Sequence, residues 1–260
     1  MLSKTTLLTL LFALFVSACV TPSQPKPTRL RILAYNVKHG RGMDGVVDLE
    51  RVAAVIREQN ADVVTLQEID NVCGRSGSVD QAKVLGTLCG MEHAFGAFME
   101  YDGGQYGMAL LSRYPIVESA NHPLPPGAEP RSVLDARVRL SNGTEVVIAG
   151  IHLYRSEEER LAQARAVAEI YEEEQAPVIL AGDFNSRREG TVMTQLEESW
   201  TNPAKDGSAN TFPSDDPDRE IDFILVRASN GYRVLRHEVV PERVASDHRP
   251  IVMDLELAPH

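Results

Sequence analysis

Cysteine and tryptophan are scarce in this chain, with three and one among 260 residues. Three cysteines cannot build the dense disulfide framework on which small secreted scaffolds depend. Nor do they fall, together with the histidines, into any spacing that a structural zinc site needs. A positive charge balance is missing too: 26 Lys and Arg stand against 37 Asp and Glu, a formal charge of -11. Proteins that hold nucleic acid mainly by neutralising its backbone are usually basic, which disfavours a sequence-blind coating protein. No Gly-x-Ser-x-Gly elbow and no phosphate-binding P-loop occur. No fixed-period repeat marks a solenoid or a propeller.

Long apolar runs are lacking as well, with one exception near the start. Leu7 to Val16 is apolar, follows Lys4, and falls short of the ~20 residues a bilayer crossing needs. Val16-Ser17-Ala18-Cys19 resembles a bacterial lipoprotein cleavage box, an ordinary cleavage site being the alternative. Residues 1–18 are therefore expected to be a signal peptide and Cys19 the lipidated residue. Residues 19–28 form a tether containing Thr21-Pro-Ser-Gln-Pro-Lys-Pro27, and 29–260 a single domain. Val20 after the Cys points to the outer membrane. With Cys19 lipidated, Cys73 and Cys89 remain as an even pair in an oxidising compartment. A disulfide between them is expected, with two unlinked thiols as the alternative.

What the sequence does hold is 43% hydrophobic residues, enough for a substantial core, arranged as strand-length runs between amphipathic stretches. The pattern predicts strands over 30–35, 62–67, 93–99, 107–111, 133–140, 145–151, 178–181, 221–226, 232–239 and 251–257. Asp48 can cap a helix in which Leu49, Val52, Ala53 and Ile56 share a face, and a second helix covers 79–88. Ser156 and Glu159 form a capping box ahead of a stripe of Leu161, Ala164, Val167, Ala168 and Tyr171. Asn142-Gly143 predicts a hairpin, and the polar, Pro-rich stretch 119–130 reads as a loop. Several hairpins with few helices predict two packed sheets with helices outside.

Polar residues punctuate these strands. Asn36, Glu68, His152 and Asp183 stand at strand ends, while Asp222 and the Asp247-His248 pair stand near strand beginnings. With antiparallel neighbours, the end of one strand and the start of the next share a rim, so all these segments can converge there. Glu68, Asn36 and Asp247 together would be an oxygen-rich shell suited to Mg²⁺ or Mn²⁺. A lone carboxylate after a buried run is more commonly just where the chain meets water, and His152 alone is more commonly a core histidine. Asp183 and Asn185, two apart in a Gly-initiated turn, can point together. Asp222 can fix the tautomer of His248.

The segments Ala34-Tyr35-Asn36-Val37, Leu66-Gln67-Glu68, Leu111-Ser112-Arg113-Tyr114-Pro115-Ile116, Gly150-Ile151-His152-Leu153, Gly182-Asp183-Phe184-Asn185, Ile221-Asp222-Phe223-Ile224 and Ser246-Asp247-His248 occur in one order. In that order they resemble the endonuclease/exonuclease/phosphatase superfamily, which includes pancreatic deoxyribonuclease, abasic-site endonucleases and neutral sphingomyelinases. The resemblance runs from about Arg29 to Leu257. It implies an α/β fold, a four-layer α/β sandwich of two mixed, mainly antiparallel sheets packed face to face with helices outside. It implies a hydrolase of phosphate esters, a phosphodiesterase or nuclease, dependent on Mg²⁺ with Mn²⁺ as a substitute. The alternatives are a phosphomonoesterase or headgroup phosphodiesterase at a membrane, and a non-catalytic binding module.

By the same resemblance Glu68 is the principal metal ligand, with Asn36 and Asp247 on the metal or its waters. Asp183 orients or deprotonates a water, Asn185 holds phosphate, and His248 (oriented by Asp222) and His152 flank it. Asn36-Val-Lys-His-Gly-Arg-Gly-Met-Asp-Gly45 resembles a form of the first motif common among bacterial secreted members. It places His39 and Arg41 past the metal site. With Arg155, Arg187, Arg188 and Arg249 they would form a cationic rim for an anionic substrate, solvated surface arginines being the alternative. Arg131 and Phe212 lie in stretches that can line the pocket. The expected partners are a phosphate-ester substrate, nucleic acid among the options, and a membrane through Cys19. The expected state is a monomer at the periplasmic face of the outer membrane.

Overall fold

Eleven strands and four α-helices are described in a computed structural model that covers residues 27–229 and 231–258. The expected leader, Cys19 and most of the tether lie outside the described residues. In chain order the elements are β1 (Thr28–Asn36), α1 (Leu49–Gln59), β2 (Val63–Asn71), α2 (Gln81–Cys89), β3 (Glu92–Tyr101), β4 (Gly104–Ser112), β5 (Ile116–Pro123) and β6 (Ser132–Arg139). They continue with β7 (Glu145–His152), α3 (Glu157–Ile170), β8 (Val178–Asp183), α4 (Thr191–Glu197), β9 (Asp222–Arg227), β10 (Tyr232–Val239) and β11 (Ile251–Leu257).

One sheet has the order β10-β11-β1-β2-β4-β3 and the other β5-β6-β7-β8-β9. Each holds one parallel pair, β1 with β2 and β7 with β8, and every other pairing is antiparallel. The central strands are apolar on both faces because both are covered. Ile32, Ala34, Met108 and Leu110 of the first sheet meet Ala136, Ile148, Ile179 and Ile224 of the second across the middle. Leu33, Tyr35 and Leu66 face outward onto Val52, Ile56 and Leu85 of α1 and α2. Ile151 and Leu180 face Ala164 and Val167 of α3 and Met193 and Leu196 of α4. Three apolar layers separate four layers of secondary structure, the α/β sandwich that the sequence predicts.

Local signals set several boundaries. The Asp48 side chain accepts from Arg51 N at 3.0 Å and caps α1. Gly143, at φ +87°, closes the β6–β7 hairpin, where Leu140 N donates to Thr144 O at 2.8 Å. Other expectations are corrected. Ser156 makes no side-chain cap, and Glu159 instead accepts from Ala128 N at 3.2 Å. The stretch read as a loop from 119 is a strand as far as Pro123, an edge strand whose polar residues face water. Helix α4 was not predicted, its seven residues being too short to show a helical period. Cys73 and Cys89 are unlinked, the first buried with Sγ 3.2 Å from Tyr101 O and the second against Ala53 O on α1.

Candidate active site

The rim expected from strand order exists, and register places three of its residues in one row. His152 pairs with Asp183 across β7 and β8, and Asp183 with Asp222 across β8 and β9. Asn36 ends β1 beside Gln67 of β2 on the facing sheet. Side chains in register on adjacent strands project to the same side, so the row presents one face to the cleft.

Glu68 reaches the cleft by an irregularity. Gln67 pairs with Met108 and Ile69 with Gly107, leaving Glu68 unpaired in a bulge at φ +59°. A bulge turns one side chain away from its strand's alternation, here toward the rim. Asp183 also depends on unusual backbone. Gly182 before it has φ +146°, and a Cβ there would collide with the Ile151 carbonyl and the Gln67 amide. Asn185 takes φ +48°, a left-handed conformation that Asn tolerates.

Asn36 Nδ2 donates to Glu68 Oε1 and to Asp183 Oδ2, both at 3.2 Å, tying the two sheets together. Its amide oxygen accepts from Lys38 N at 3.2 Å. Asp183 Oδ1 accepts from Asn185 N at 2.8 Å, and Asn185 Nδ2 donates to Leu153 O at 2.8 Å, leaving its second N–H available. His152 Nε2 lies 3.5 Å and His248 Nε2 3.7 Å from Asp183 Oδ2. Asp222 holds Nδ1 of His248 at 3.0 Å, which fixes that ring with Nε2 toward Asp183. Phe212 packs its ring 4.8 Å from that of His248.

Burial divides the charges. It pushes the Asp183 carboxyl up to about 7, with His248 pulling the other way and Asp222 adding to the rise. Burial alone would lower His248, but Asp222 and then Asp183 hold it up to about 10. His152 is kept well below the usual imidazole range by burial, then by Arg131 and His248, and its Nδ1 has no partner among the described residues. The site therefore pairs a protonated His248 with a neutral His152 on either side of one carboxylate.

The metal expectation can be tested on the donor set. Burial raises the Glu68 carboxyl, the Asn36 hydrogen bond opposes this, and Asp247 raises it further. Asp247 meanwhile takes the Lys38 ammonium at 2.6 Å. Two crowded carboxylates, one already drawing a cation, fit a hard dication. Asp183, Asp222 and His248 also lie within 4.8 Å of one another. The Nδ1 of His248 is already committed to Asp222 there, which leaves Nε2 as the free donor atom of that ring.

These groups line a cleft of about 630 Å³ and a second lobe of about 310 Å³. The lobes share Glu68, His152, Arg155 and Asn185. Arg187 and Phe212 line the larger lobe and Arg131 the smaller, as expected. His39 and Arg41 line neither: His39 is buried with its ring lowered to about 4 by burial and then Arg75, and Arg41 bridges to Val47 at the surface. Arg188 and Arg249 turn to Glu220 and to Ser214 O, away from the cleft. The cationic rim is thus built partly of other residues, Arg160 and Arg219 in the larger lobe and Arg75 in the smaller. None of the segments that mark the strand ends includes these three, although Arg219 precedes Asp222 by only three residues.

The sequence profile of the Endonuclease/Exonuclease/phosphatase family matches residues 33–248. The protein YbhP of Escherichia coli K12, described as uncharacterized, is 28% identical over 253 residues, which span 91% of this chain and all of YbhP. The crystal structure of an endonuclease/exonuclease/phosphatase from Beutenbergia cavernae superposes with TM-score 0.73 at 26% identity, over 88% of this chain and 72% of that one. A mannosyl-6-phosphatase of Bacteroides thetaiotaomicron shares the fold at TM-score 0.73 and 19% identity, over 87% and 99%. Matched from the middle of the first strand to the last histidine of the rim, the chain belongs to the Endonuclease/Exonuclease/phosphatase family, whose enzymes are divalent-metal-dependent hydrolases of phosphoric esters.

Proposed function

We propose that this protein hydrolyses phosphate diesters with the help of Mg²⁺, Mn²⁺ serving as a substitute. The observation that carries the reading is the two-lobed cleft, whose lobes meet at Glu68, His152 and Asn185. A phosphorus held at that junction has room for an esterified group on either side, whereas a monoester would fill one side only. Glu68 and Asp247 would hold the cation, with Asn36 positioning Glu68. Bound there, it would supply Lewis-acid stabilisation of the charge that grows on phosphoryl and leaving oxygens. Asp183 orients the attacking water and takes its proton as the new P–O bond forms and the bond to the departing alkoxide breaks. Protonated His248 offsets charge on the phosphoryl oxygens, Asn185 binds one of them, and the alkoxide takes its proton from solvent.

A second reading, hydrolysis of phosphomonoesters, is favoured by the arginines of the larger lobe. Of Arg155, Arg160, Arg187 and Arg219, Arg219 is the one in an ion pair, with Asp218, among the described residues. Unpaired guanidiniums suit the extra charge of a terminal phosphate. Lipidation of Cys19 would hold the enzyme at the periplasmic face of the outer membrane, a reading supported by Val16-Ser17-Ala18-Cys19.

The test uses EDTA-stripped protein lacking residues before Thr21, with plasmid DNA, bis-p-nitrophenyl phosphate and p-nitrophenyl phosphate, with and without Mg²⁺ or Mn²⁺. Metal-dependent diester turnover that disappears in Glu68→Ala is expected. Turnover of the monoester alone would replace the first reading by the second, and silence on all three from folded protein would refute both.

A further inference from the structure

The two lobes differ in charge. Both arginines that shape the smaller lobe beyond the shared rim are fixed and neutralised by carboxylates. Arg75 grips Asp70, a fully buried carboxylate, through Nε and Nη2, both at 2.8 Å. Arg131 pairs with Glu129 and donates to Pro130 O at 3.3 Å. Both guanidiniums also lie over local aromatic rings. Arg75 lies 4.4 Å from the centroid of Tyr101 and 5.3 Å from that of Tyr106. Arg131 lies 4.9 Å from Phe98 and 5.5 Å from Tyr154.

Such a lobe offers little net charge, and its stacking is already taken up by the protein's own cations. It offers directional hydrogen bonds instead. The Nε of Arg131 has no partner among the described residues although the side chain is 5% exposed. Glu129 presents carboxylate oxygens, and Tyr101 and Tyr154 present phenol hydroxyls. Tyr106 stays a neutral hydroxyl because burial raises it, with Glu68 adding to the rise. Fixed donors and acceptors of both kinds, arranged around about 310 Å³, match a neutral ring bearing several hydroxyls. A second phosphate would meet Asp70 and Glu129 behind each guanidinium, and a nucleobase would find a cation already over each of these rings.

We propose that the smaller lobe is a polyol subsite, so that the substrate carries an uncharged, sugar-like polyhydroxylated group next to the scissile phosphate. This rests on the phosphate-ester reading above, and names the substrate class of that same site. Discrimination comes from hydrogen bonds that a hydroxyl-free group leaves unmade, since unpaired polar groups around a buried ligand are costly.

The test is calorimetric binding to the full-length protein, solubilised in detergent and loaded with Mg²⁺. The probes are hexose 6-phosphate, methyl phosphate, a nucleoside 5′-monophosphate and hexose 1,6-bisphosphate. Hexose 6-phosphate is expected to bind at least ~10-fold tighter than methyl phosphate, the yield of one or two net hydrogen bonds, with no gain from the second phosphate. Glu129→Gln and Tyr101→Ala, substitutions at partly exposed side chains, should bring that ratio close to unity. Equal binding of hexose and methyl phosphates overturns the proposal, as does no binding of the hexose phosphate. Clear preference for the bisphosphate would make the lobe an anion site, and preference for the nucleotide a base site, each overturning it too. Turnover of bis-p-nitrophenyl phosphate is followed in parallel. Selective binding without turnover would refute the diester reading and keep the subsite, and turnover without selectivity would do the reverse.

Discussion

The ammonium of Lys205 lies 2.9 Å from the backbone oxygen of Asp222, so the main chain that carries the carboxylate steering His248 is itself held. Lys205 is fully buried and paired with Glu220 at 2.5 Å, which Arg188 also contacts at 3.1 Å. Burial lowers the lysine and Glu220 resists that shift. Lys205→Met should cost about 3 kcal/mol, the low end for breaking a buried pair, because Arg188 still faces Glu220. Urea unfolding measures this cost, and combining the change with Glu220→Gln should recover part of it. Full stability in Lys205→Met would show that the lysine is incidental.

Replacing Asp222 by Asn keeps the contact to His248 but removes the charge that holds the imidazolium. The variant should fold normally and lose at least about 100-fold in kcat, the range for removing one electrostatic stabiliser of a transition state. Asp183→Ala should lose more, because the water then has neither an orienting group nor a proton acceptor. Near-normal steady-state turnover by either variant, with host enzyme excluded, would remove these residues from the reaction.

Two titrations should frame the rate. In the proposed mechanism Asp183 works ionised, and burial puts it at about 7, so kcat/KM should fall as pH drops through that value. His248 works protonated and sits at about 10, so activity should fall as pH rises through that value. A dication nearby favours the ionised Asp183, so raising Mg²⁺ should move the acid limb to lower pH. A pH–rate profile whose acid limb ignores Mg²⁺ would contradict this account of Asp183.

Gly182→Ala tests the backbone under the site. The residue sits at φ +146° with the Ile151 carbonyl and the Gln67 amide where a side chain would begin. A loss of about 2 kcal/mol or more is expected in thermal or urea unfolding, with kcat falling as Asp183 is displaced. An unchanged unfolding midpoint would mean that the turn relaxes freely.

The two described cysteines should behave as separate thiols. Burial raises Cys73 to about 11 and also raises the partly exposed Cys89. Ellman's reagent on the folded protein lacking residues before Thr21 should react slowly with Cys89 first, and two thiols should count after unfolding without reductant. A count of zero would establish the disulfide.

The strand frame was legible because period-two and continuously apolar runs report burial directly, as in Leu33, Val64 and Leu180. The rim was legible for a related reason: Asn36, His152 and Asp183 each break an apolar run where a strand leaves the core. Edge strand β5 was not, since water covers one of its faces and its Glu118, Asn121 and His122 look like loop. The Ser156–Glu159 pair had the spacing of a capping box, but Ala128 offered Glu159 another donor from a distant segment. Arg75 and Lys205 carry no sequence signal because what defines them is a partner, Asp70 or Glu220, brought to them by a turn or a loop whose path has no periodic pattern. His39 and Arg41 were placed by motif alone, and the 3₁₀ turn at Lys38–Gly40 sends them away from the cleft.

Glu68 occupies a left-handed backbone conformation that non-glycine residues adopt at a cost of about 1–2 kcal/mol. With Glu68 holding the cation as proposed, folding and metal affinity pull against each other at this position. A screen for heat resistance alone would drift toward Gly or Asn at 68, relaxing the bulge and discarding the carboxylate in the same step. A screen for turnover would hold Glu and look for its stability elsewhere, in the helices or the outer strands. Thermostable variants that have lost their metal dependence should accumulate at this bulge before they accumulate anywhere else on the rim.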